Sequence, residues 1–150
     1  DSKQLSPDQR EMLFAEIEKE SNSGIGVVSV QVIDQINILQ ATRLAMWLAV
    51  SNLEVPPDAL IVDGRESIAG SIRQRSEVKA DVRCASVAAA SIVAKVTRDR
   101  MMSEIDTLFP GYGLARNKGY GTAEHREALK RLGYSTIHRL SFAPVRATLP

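Results

Sequence analysis

The stretch VDGRESIAGSIRQRSEVKAD, from Val62 to Asp81, decides the fold that the sequence predicts. It begins at the end of a short apolar run, Ala59–Val62, which predicts a buried strand delivering Asp63 to its carboxyl end. A second acid, Asp81, stands where a long helical segment is predicted to begin. Because a carboxylate at the end of a buried strand is costly to desolvate without a cation or donors, the two acids favour a metal site. The alternatives are a turn at Asp63 and a helix cap at Asp81.

The composition is typical of one globular domain. The chain has 150 residues and is 44% hydrophobic, which is enough for a real core. No apolar run approaches the roughly 20 residues of a membrane-spanning helix, and nothing at the N-terminus resembles a secretory signal. We therefore expect a soluble, cytoplasmic protein.

The residue types that could bind a metal point to oxygen ligands. Cys84 is the only cysteine, which excludes an internal disulfide and a cysteine-based zinc site. His125 and His138 are too far apart in sequence to suggest a local ligand pair. A metal would therefore be held by oxygen atoms, which favours magnesium or manganese.

The charges are distributed unevenly, although the net charge is only +1. Residues 1–78 hold 7 Lys and Arg against 12 Asp and Glu, whereas residues 79–150 hold 12 against 6. This asymmetry suggests a polyanionic partner for the C-terminal half. The alternative is that these residues form ordinary charged helix surfaces.

The N-terminal part predicts a helix, a strand, a helix and a second strand. Ser6–Gln9 has a capping residue, a proline at the first helical position and a glutamine three residues after the cap, so a helix should run to about Glu20. The apolar pattern of Ile25–Val32 predicts a strand. Asp34 is predicted to cap the next helix, and Ala59–Val62 then completes a strand–helix–strand unit with a right-handed crossover.

The C-terminal part predicts a polar loop, helices and two glycine-rich loops. Residues 64–77 predict a polar loop that could be partly ordered, and the chain from Asp81 predicts a long helix rich in small side chains. Thr122 is predicted to cap a helix that ends at Leu132. Tyr120, between two glycines, could lie on an exposed loop and stack on a sugar or base, or it could fill the edge of the core.

Several segments, taken together and in order, resemble one family. The segments that are similar to ribonuclease HII are DSKQLS at 1–6, INILQAT at 36–42, VDG at 62–64, VKAD at 78–81, AAASIVAKVTRDR at 88–100, KGYGT at 118–122 and HRLSFAPVR at 138–146. They span nearly the whole chain.

The resemblance implies an α/β fold, namely a ribonuclease H-like mixed sheet flanked by helices. It also implies an endonuclease that cleaves RNA in RNA–DNA hybrids and at ribonucleotides embedded in duplex DNA, as in ribonucleotide excision, leaving a 3′-hydroxyl and a 5′-phosphate. Family members use four carboxylates, in the order Asp-Glu-Asp-Asp, with magnesium or manganese. Asp63 resembles the third of these carboxylates and Asp81 the fourth.

The same resemblance suggests three residues that contact the substrate. Tyr120 is similar to the family tyrosine that packs on the sugar beside the ribonucleotide and helps to sense its 2′-hydroxyl. Lys3 and Ser91 resemble residues that hold the nucleic-acid backbone, a contact that positions the substrate and weakens with salt.

Two features depart from the family pattern. The DEAGRG motif, which carries the first two carboxylates on the first strand, does not occur in these 150 residues, and Ala80 stands where the family usually has glycine. We therefore expect residues 1–150 to form a single ribonuclease H-like domain that lacks its first strands, with a C-terminal helical part over about 104–150.

The missing motif also limits the expected activity. Two carboxylates should hold two divalent ions poorly, so we expect the 150-residue chain by itself to be inactive or nearly so, and a complete version to be an active monomer. One alternative is a non-catalytic protein that binds hybrids or duplexes. A nucleotide-binding α/β domain is less favoured because no phosphate-binding glycine motif is present.

Overall fold

The computed structural model describes residues 2–149, except the side chain of Lys3. After a 3-10 turn at Ser2–Gln4, the elements are α1 Pro7–Glu20, α2 Val30–Ser51, β1 Ala59–Asp63, β2 Arg73–Glu77, α3 Ala80–Arg83, α4 Ala85–Leu108, α5 Leu114–Asn117, α6 Ala123–Leu132 and α7 Ala143–Arg146. A small sheet flanked by helices confirms the predicted mixed α/β class. Among the described residues, no helix has the length and apolarity that crossing a membrane requires.

The chain divides into two compact units. The first contains the residues up to Val28 together with Ile38–Val96. The second contains Ser29–Asn37 together with the residues from Thr97 onward. The backbone of α2 changes unit where it kinks at Asn37, whose φ of 68° and ψ of 166° are not helical.

The sheet of the first unit consists of β1 and β2, which pair in parallel with Asp63 opposite Glu77. The predicted strand at Ala59–Val62 is confirmed, because β1 covers it, but its predicted burial is wrong: Val62 alone of these four residues is buried, and Ile61 is 48% exposed. The prediction of a loop over residues 64–77 is wrong in its last part, where β2 forms. The sequence RQRSE of β2 lacks an apolar pattern. The backbone pairing with β1 orders this segment. The Gln74 side chain adds two hydrogen bonds to Ile68: its amide oxygen accepts from the Ile68 N–H at 2.8 Å, and its amide nitrogen donates to the Ile68 carbonyl at 2.7 Å.

The predicted strand at Ile25–Val32 is wrong. Within the described part of the chain, residues 22–29 form no regular element and α2 already begins at Val30. The segment instead lies against α2 through its glycines: a Cβ on Gly24 would lie 2.1 Å from the Ala49 carbonyl oxygen, and one on Gly26 would lie 1.8 Å from the Ala45 carbonyl oxygen. Packing on a helix therefore replaces strand pairing, so the predicted strand–helix–strand unit does not form.

The predicted first helix is confirmed. In α1, the Gln9 backbone N–H donates to the Ser6 hydroxyl at 3.2 Å, and the Ser6 backbone N–H donates to the Gln9 side-chain oxygen at 2.8 Å. This reciprocal pair satisfies two N–H groups that would otherwise lack partners at the helix start.

The long helix predicted from Asp81 is interrupted. Cys84 has extended dihedral angles, φ −127° and ψ 123°, and it separates the one-turn helix α3 from α4. Lys79, which has a left-handed conformation with φ 60°, precedes α3. Asp81 consequently lies in the first turn of α3, and it does not cap the long helix.

The core of the second unit consists of Tyr112, Leu114, Ala128, Leu129 and Val145. Thr122 caps α6 by accepting a hydrogen bond from the His125 backbone N–H at 3.2 Å, as predicted. The predicted capping role of Asp34 is wrong, because Asp34 lies inside α2 and the Ser29 hydroxyl accepts from the Val32 N–H at the start of that helix.

Asp34 has a different role, which joins distant parts of the second unit. Its carboxylate accepts hydrogen bonds from the Leu140 N–H at 2.8 Å, the Ser141 N–H at 3.0 Å and the Ser141 hydroxyl at 2.5 Å. The hydroxyl bond, followed by the two backbone bonds, lowers the pKa of Asp34. Asp34 therefore anchors the segment that leads into α7.

Candidate functional site

Asp63 lies at the carboxyl end of β1, on an exposed edge of the first unit. One of its carboxylate oxygens, Oδ1, accepts a hydrogen bond from the Ala80 N–H at 2.9 Å. The neighbouring Gly64 N–H donates to the Glu77 carbonyl at 3.0 Å, which extends the parallel pairing past the strand. The side chain of Asp63 is thereby tied to the start of α3.

Asp81 immediately follows Ala80, whose backbone N–H donates to the Asp63 carboxylate. Ala80 is only 1% exposed, and Asp81 is half-buried in the first turn of α3. The structure therefore brings the backbone of Asp81 next to the Asp63 carboxylate, although 18 positions separate the two acids in the sequence. The methyl of Ala80, which stands where the family usually has glycine, is accommodated in the buried position.

Glu77 is a third acid near this edge, but its carboxylate is already paired. It forms ion pairs with Arg83 and, at 3.2 Å, with Arg75. A carboxylate held by two guanidinium groups is a poor candidate for binding a metal ion. Glu77 therefore contributes its backbone pairing to the site and leaves Asp63 and Asp81 as the candidate ligands.

The candidate ligands fit a divalent cation in kind but supply only part of its coordination. Within the described residues, no group of three or more His, Cys, Asp or Glu side chains converges to hold a metal ion. Magnesium is commonly held by one or two carboxylates, with water and substrate phosphate filling the remaining positions. Asp63 and Asp81 are carboxylates of that kind, and their role as metal ligands stays a prediction.

The structure describes the side chain of one of the two predicted backbone-binding residues of the first unit. Ser91 lies on α4, and its hydroxyl forms a 2.9 Å hydrogen bond with the hydroxyl of Ser2, which is buried. Lys3 belongs to the turn at Ser2–Gln4, but its side chain lies outside the described residues. The substrate roles of both residues stay predictions.

Tyr120 lies on the second unit, in the loop between α5 and α6. It is 60% exposed, so it does not fill the edge of the core. Lys118 and Gly119 both have positive φ, 52° and 78°, and the Tyr120 N–H closes the turn by donating to the Asn117 carbonyl at 2.9 Å. The buried amide of Asn117 bonds the Gly119 N–H at 2.9 Å and the Tyr112 carbonyl at 2.7 Å. The loop that presents Tyr120 is therefore ordered by hydrogen bonds.

Two cations of the second unit support this loop. The guanidinium carbon of Arg98 lies 5.5 Å from the Tyr120 ring centroid, and Arg98 also donates to the Lys118 carbonyl at 3.0 Å. The ammonium group of Lys118 donates to the Asp99 carbonyl at 3.1 Å and to the Ser103 hydroxyl at 3.0 Å. No local sequence signal relates Arg98 to Tyr120, because the contact depends on how α4 meets the loop.

The two histidines meet in the second unit, although their sequence separation gave no sign of it. Their Nε2 atoms are 3.4 Å apart. His125 Nδ1 is 3.0 Å from the Tyr120 carbonyl oxygen, and His138 Nδ1 accepts from the Ser135 N–H at 3.1 Å. Burial, followed by the neighbouring His125 ring, lowers the pKa of His138.

The fold is that of a known class of nuclease. The crystal structure of the ribonuclease H2 from Pyrococcus horikoshii is similar, with a TM-score of 0.78 and 26% sequence identity, over 99% of this chain and 78% of that chain. The small sheet with an aspartate at its edge thus belongs to a ribonuclease H2-like fold.

Sequence comparison identifies the family. The family described as ribonuclease HII matches residues 1–145. Ribonuclease HII from Geobacillus kaustophilus is 51% identical over 150 residues, which cover 99% of this chain and 57% of that protein. Ribonuclease HII from Acetivibrio thermocellus is 53% identical over 143 residues, which cover 95% of this chain and 56% of that protein. The chain belongs to the ribonuclease HII family and spans just over half the length of these relatives.

Proposed function

We propose that this chain carries part of the active site of an endonuclease that cleaves RNA in RNA–DNA hybrids and at single ribonucleotides embedded in duplex DNA. The reaction is hydrolysis of a phosphodiester, leaving a 3′-hydroxyl and a 5′-phosphate, in a monomeric cytoplasmic enzyme of ribonucleotide excision. The observation that carries the proposal is the Asp63 carboxylate, fixed at the end of β1 by the residue that precedes Asp81. Membership of the ribonuclease HII family supports it.

Each candidate residue has a defined task in this proposal. Asp63 and Asp81 hold a magnesium or manganese ion, and the Ala80 N–H orients Asp63 for that purpose. When bound, the divalent ion neutralises phosphate charge and makes a bound water more acidic. Tyr120 packs on the sugar of the ribonucleotide, while Lys3 and Ser91 hold the phosphate backbone.

The central test is the substitution Asp63→Asn. The amide oxygen of asparagine can still accept from the Ala80 N–H, so the fold is retained while the negative charge is lost. We expect the affinity for Mn²⁺, measured by calorimetry, to fall at least about tenfold, because changing even an outer partner of a metal ligand costs that much. Asp58→Asn is the matched control, since Asp58 is exposed just before the other end of β1.

Cleavage is tested on a duplex with one ribonucleotide, in the presence of Mn²⁺. We expect the 150-residue chain alone to cut at a trace rate. We expect the same chain, extended at its N-terminus by a DEAGRG-bearing segment from a relative, to cut at the ribonucleotide. Asp63→Asn should abolish cleavage by the extended chain, whereas Asp58→Asn should not. Full cleavage by the extended Asp63→Asn variant would refute the assignment.

A second candidate function is binding of hybrids or duplexes without cleavage. The exposed Tyr120 ring, supported by Arg98, favours it because base or sugar stacking requires no metal ion. This function predicts binding that weakens with salt, persists in EDTA and is unchanged by Asp63→Asn. If the extended chain binds in this way but does not cut, binding is the function.

A further inference from the structure

His125 and His138 form a hydrogen-bonded chain whose two ends are backbone groups of fixed polarity. At one end the Ser135 N–H, which can only donate, lies 3.1 Å from His138 Nδ1. At the other end the Tyr120 carbonyl, which can only accept, lies 3.0 Å from His125 Nδ1. Between them the two Nε2 atoms are 3.4 Å apart. These hydrogen bonds therefore connect the segment after α6 with Tyr120, the residue that we propose contacts the substrate.

These end groups determine both tautomers. His138 Nδ1 must be the unprotonated acceptor, so the proton of that neutral ring is on Nε2. His125 Nδ1 must carry the proton that it donates to Tyr120, so its Nε2 is the acceptor. The Nε2–H of His138 then donates to Nε2 of His125, and every ring nitrogen has a partner of the correct kind.

We infer that His125 and His138 are positioning residues that hold the Tyr120 loop for ribonucleotide recognition. The inference rests on the proposed substrate role of Tyr120. The Tyr120 carbonyl also accepts from the Thr122 N–H at 2.8 Å, so the histidine adds a second, side-chain restraint to the same atom.

A proton added to His125 would oppose the Nε2–H of His138, and one added to His138 would oppose the Ser135 N–H, although the Ser135 hydroxyl, 3.0 Å from the same Nδ1, can then accept. Burial, followed by the His125 ring, lowers the pKa of His138, in agreement with a neutral His138 ring. The Nδ1–H of His125 donates to the Tyr120 carbonyl in the neutral and in the protonated ring, so the restraint on Tyr120 rests on this hydrogen bond.

The surroundings of the pair contain little that would compensate for a positive charge. The Tyr112 ring packs on both imidazoles, with centroids at 4.9 Å from His138 and 6.3 Å from His125, and its hydroxyl donates to the Gly133 carbonyl at 2.9 Å. The charged residues next to the histidines in sequence are engaged elsewhere or exposed. Glu124 pairs with Arg116, the Arg139 guanidinium lies over the Phe142 ring, and Arg126 is exposed.

The first experiment determines the tautomers of His125 and His138 by nitrogen-15 NMR of the imidazole rings in the unmodified chain. We expect the proton on Nδ1 of His125 and on Nε2 of His138 at about pH 8. Opposite tautomers would overturn the inference.

The second experiment measures the preference of the DEAGRG-extended chain for a duplex with one ribonucleotide over an all-DNA duplex. Loss of one hydrogen bond in His125→Ala should lower this preference about 2- to 12-fold. His125→Asn is the matched variant, because its amide N–H can still donate to the Tyr120 carbonyl. It should keep most of the preference.

A double-mutant cycle separates positioning from a general effect on stability. In a Tyr120→Ala background, His125→Ala should change the preference no further, because the ring that the histidine positions is gone. An equal loss in both backgrounds would mean that His125 only stabilises the fold, and would overturn the inference. If Tyr120→Ala itself leaves the preference unchanged, the proposed substrate role of Tyr120 is wrong, and the recognition role of the histidines fails with it.

Discussion

Replacing Gly26 by alanine tests how the segment before α2 is held. A Cβ at this position would lie 1.8 Å from the Ala45 carbonyl oxygen, 2.8 Å from the Ala45 carbonyl carbon and 2.7 Å from the Ala49 nitrogen. These are backbone atoms of α2, so no side chain can rotate away. Restoring an ordinary contact of 3.4 Å requires the segment and the helix to separate locally by roughly 1.6 Å. We expect the free energy of unfolding to fall by about 1–3 kcal/mol, the usual cost of forcing an extra methyl into a packed site.

Urea unfolding followed by Trp47 fluorescence measures this change, since Trp47 is the only tryptophan and lies on α2. Gly121→Ala is the control, because a Cβ on Gly121 would meet nothing within 4 Å and its φ is not positive. The control should change the free energy of unfolding by less than about 1 kcal/mol. If Gly26→Ala unfolds within about 0.5 kcal/mol of the parent chain, the segment is not packed against α2 as described.

Three further predictions concern a helix cap, an anchoring acid and the metal site. Ser6→Ala removes the side-chain acceptor for the Gln9 N–H, and should cost about 1 kcal/mol in thermal unfolding, whereas no loss would contradict the capping box. The Ser141 hydroxyl lowers the pKa of Asp34, so the ionised acid stabilises the folded chain, and this contribution should be lost as the pH falls below about 4. In Asp34→Asn, the free energy of unfolding should therefore depend less on pH in that range. Mn²⁺ should raise the melting temperature of the parent chain, EDTA should reverse the rise, and Asp63→Asn should show neither effect.

The two units contribute different chemistry to the proposed enzyme. The first presents acids at the end of a strand, with Asp63 tied to the start of α3. The second presents an exposed aromatic ring on a loop that Asn117 and Arg98 support. In the proposed function, the acids bind the metal ion and the ring contacts the sugar of the ribonucleotide.

Local sequence signals determined a large part of this structure. The capping box at Ser6, the cap at Thr122 and the apolar run that ends at Asp63 each depend on residues within a few positions, so each was predictable. The ordered series of motifs likewise identified the ribonuclease HII family, which the family match and the relatives confirm.

Only the tertiary structure decided the features that depend on distant partners. The polar strand β2 forms because β1 offers it a backbone ladder, and residues 22–29 remain outside the sheet because their glycines pack on α2. The bonds of Asp34 to Ser141 and of His125 to His138 join residues that no local pattern relates. Propensity and capping act over a few residues, whereas the pairing of strands, of acids with distant donors and of two imidazoles is set by the packing of the whole chain.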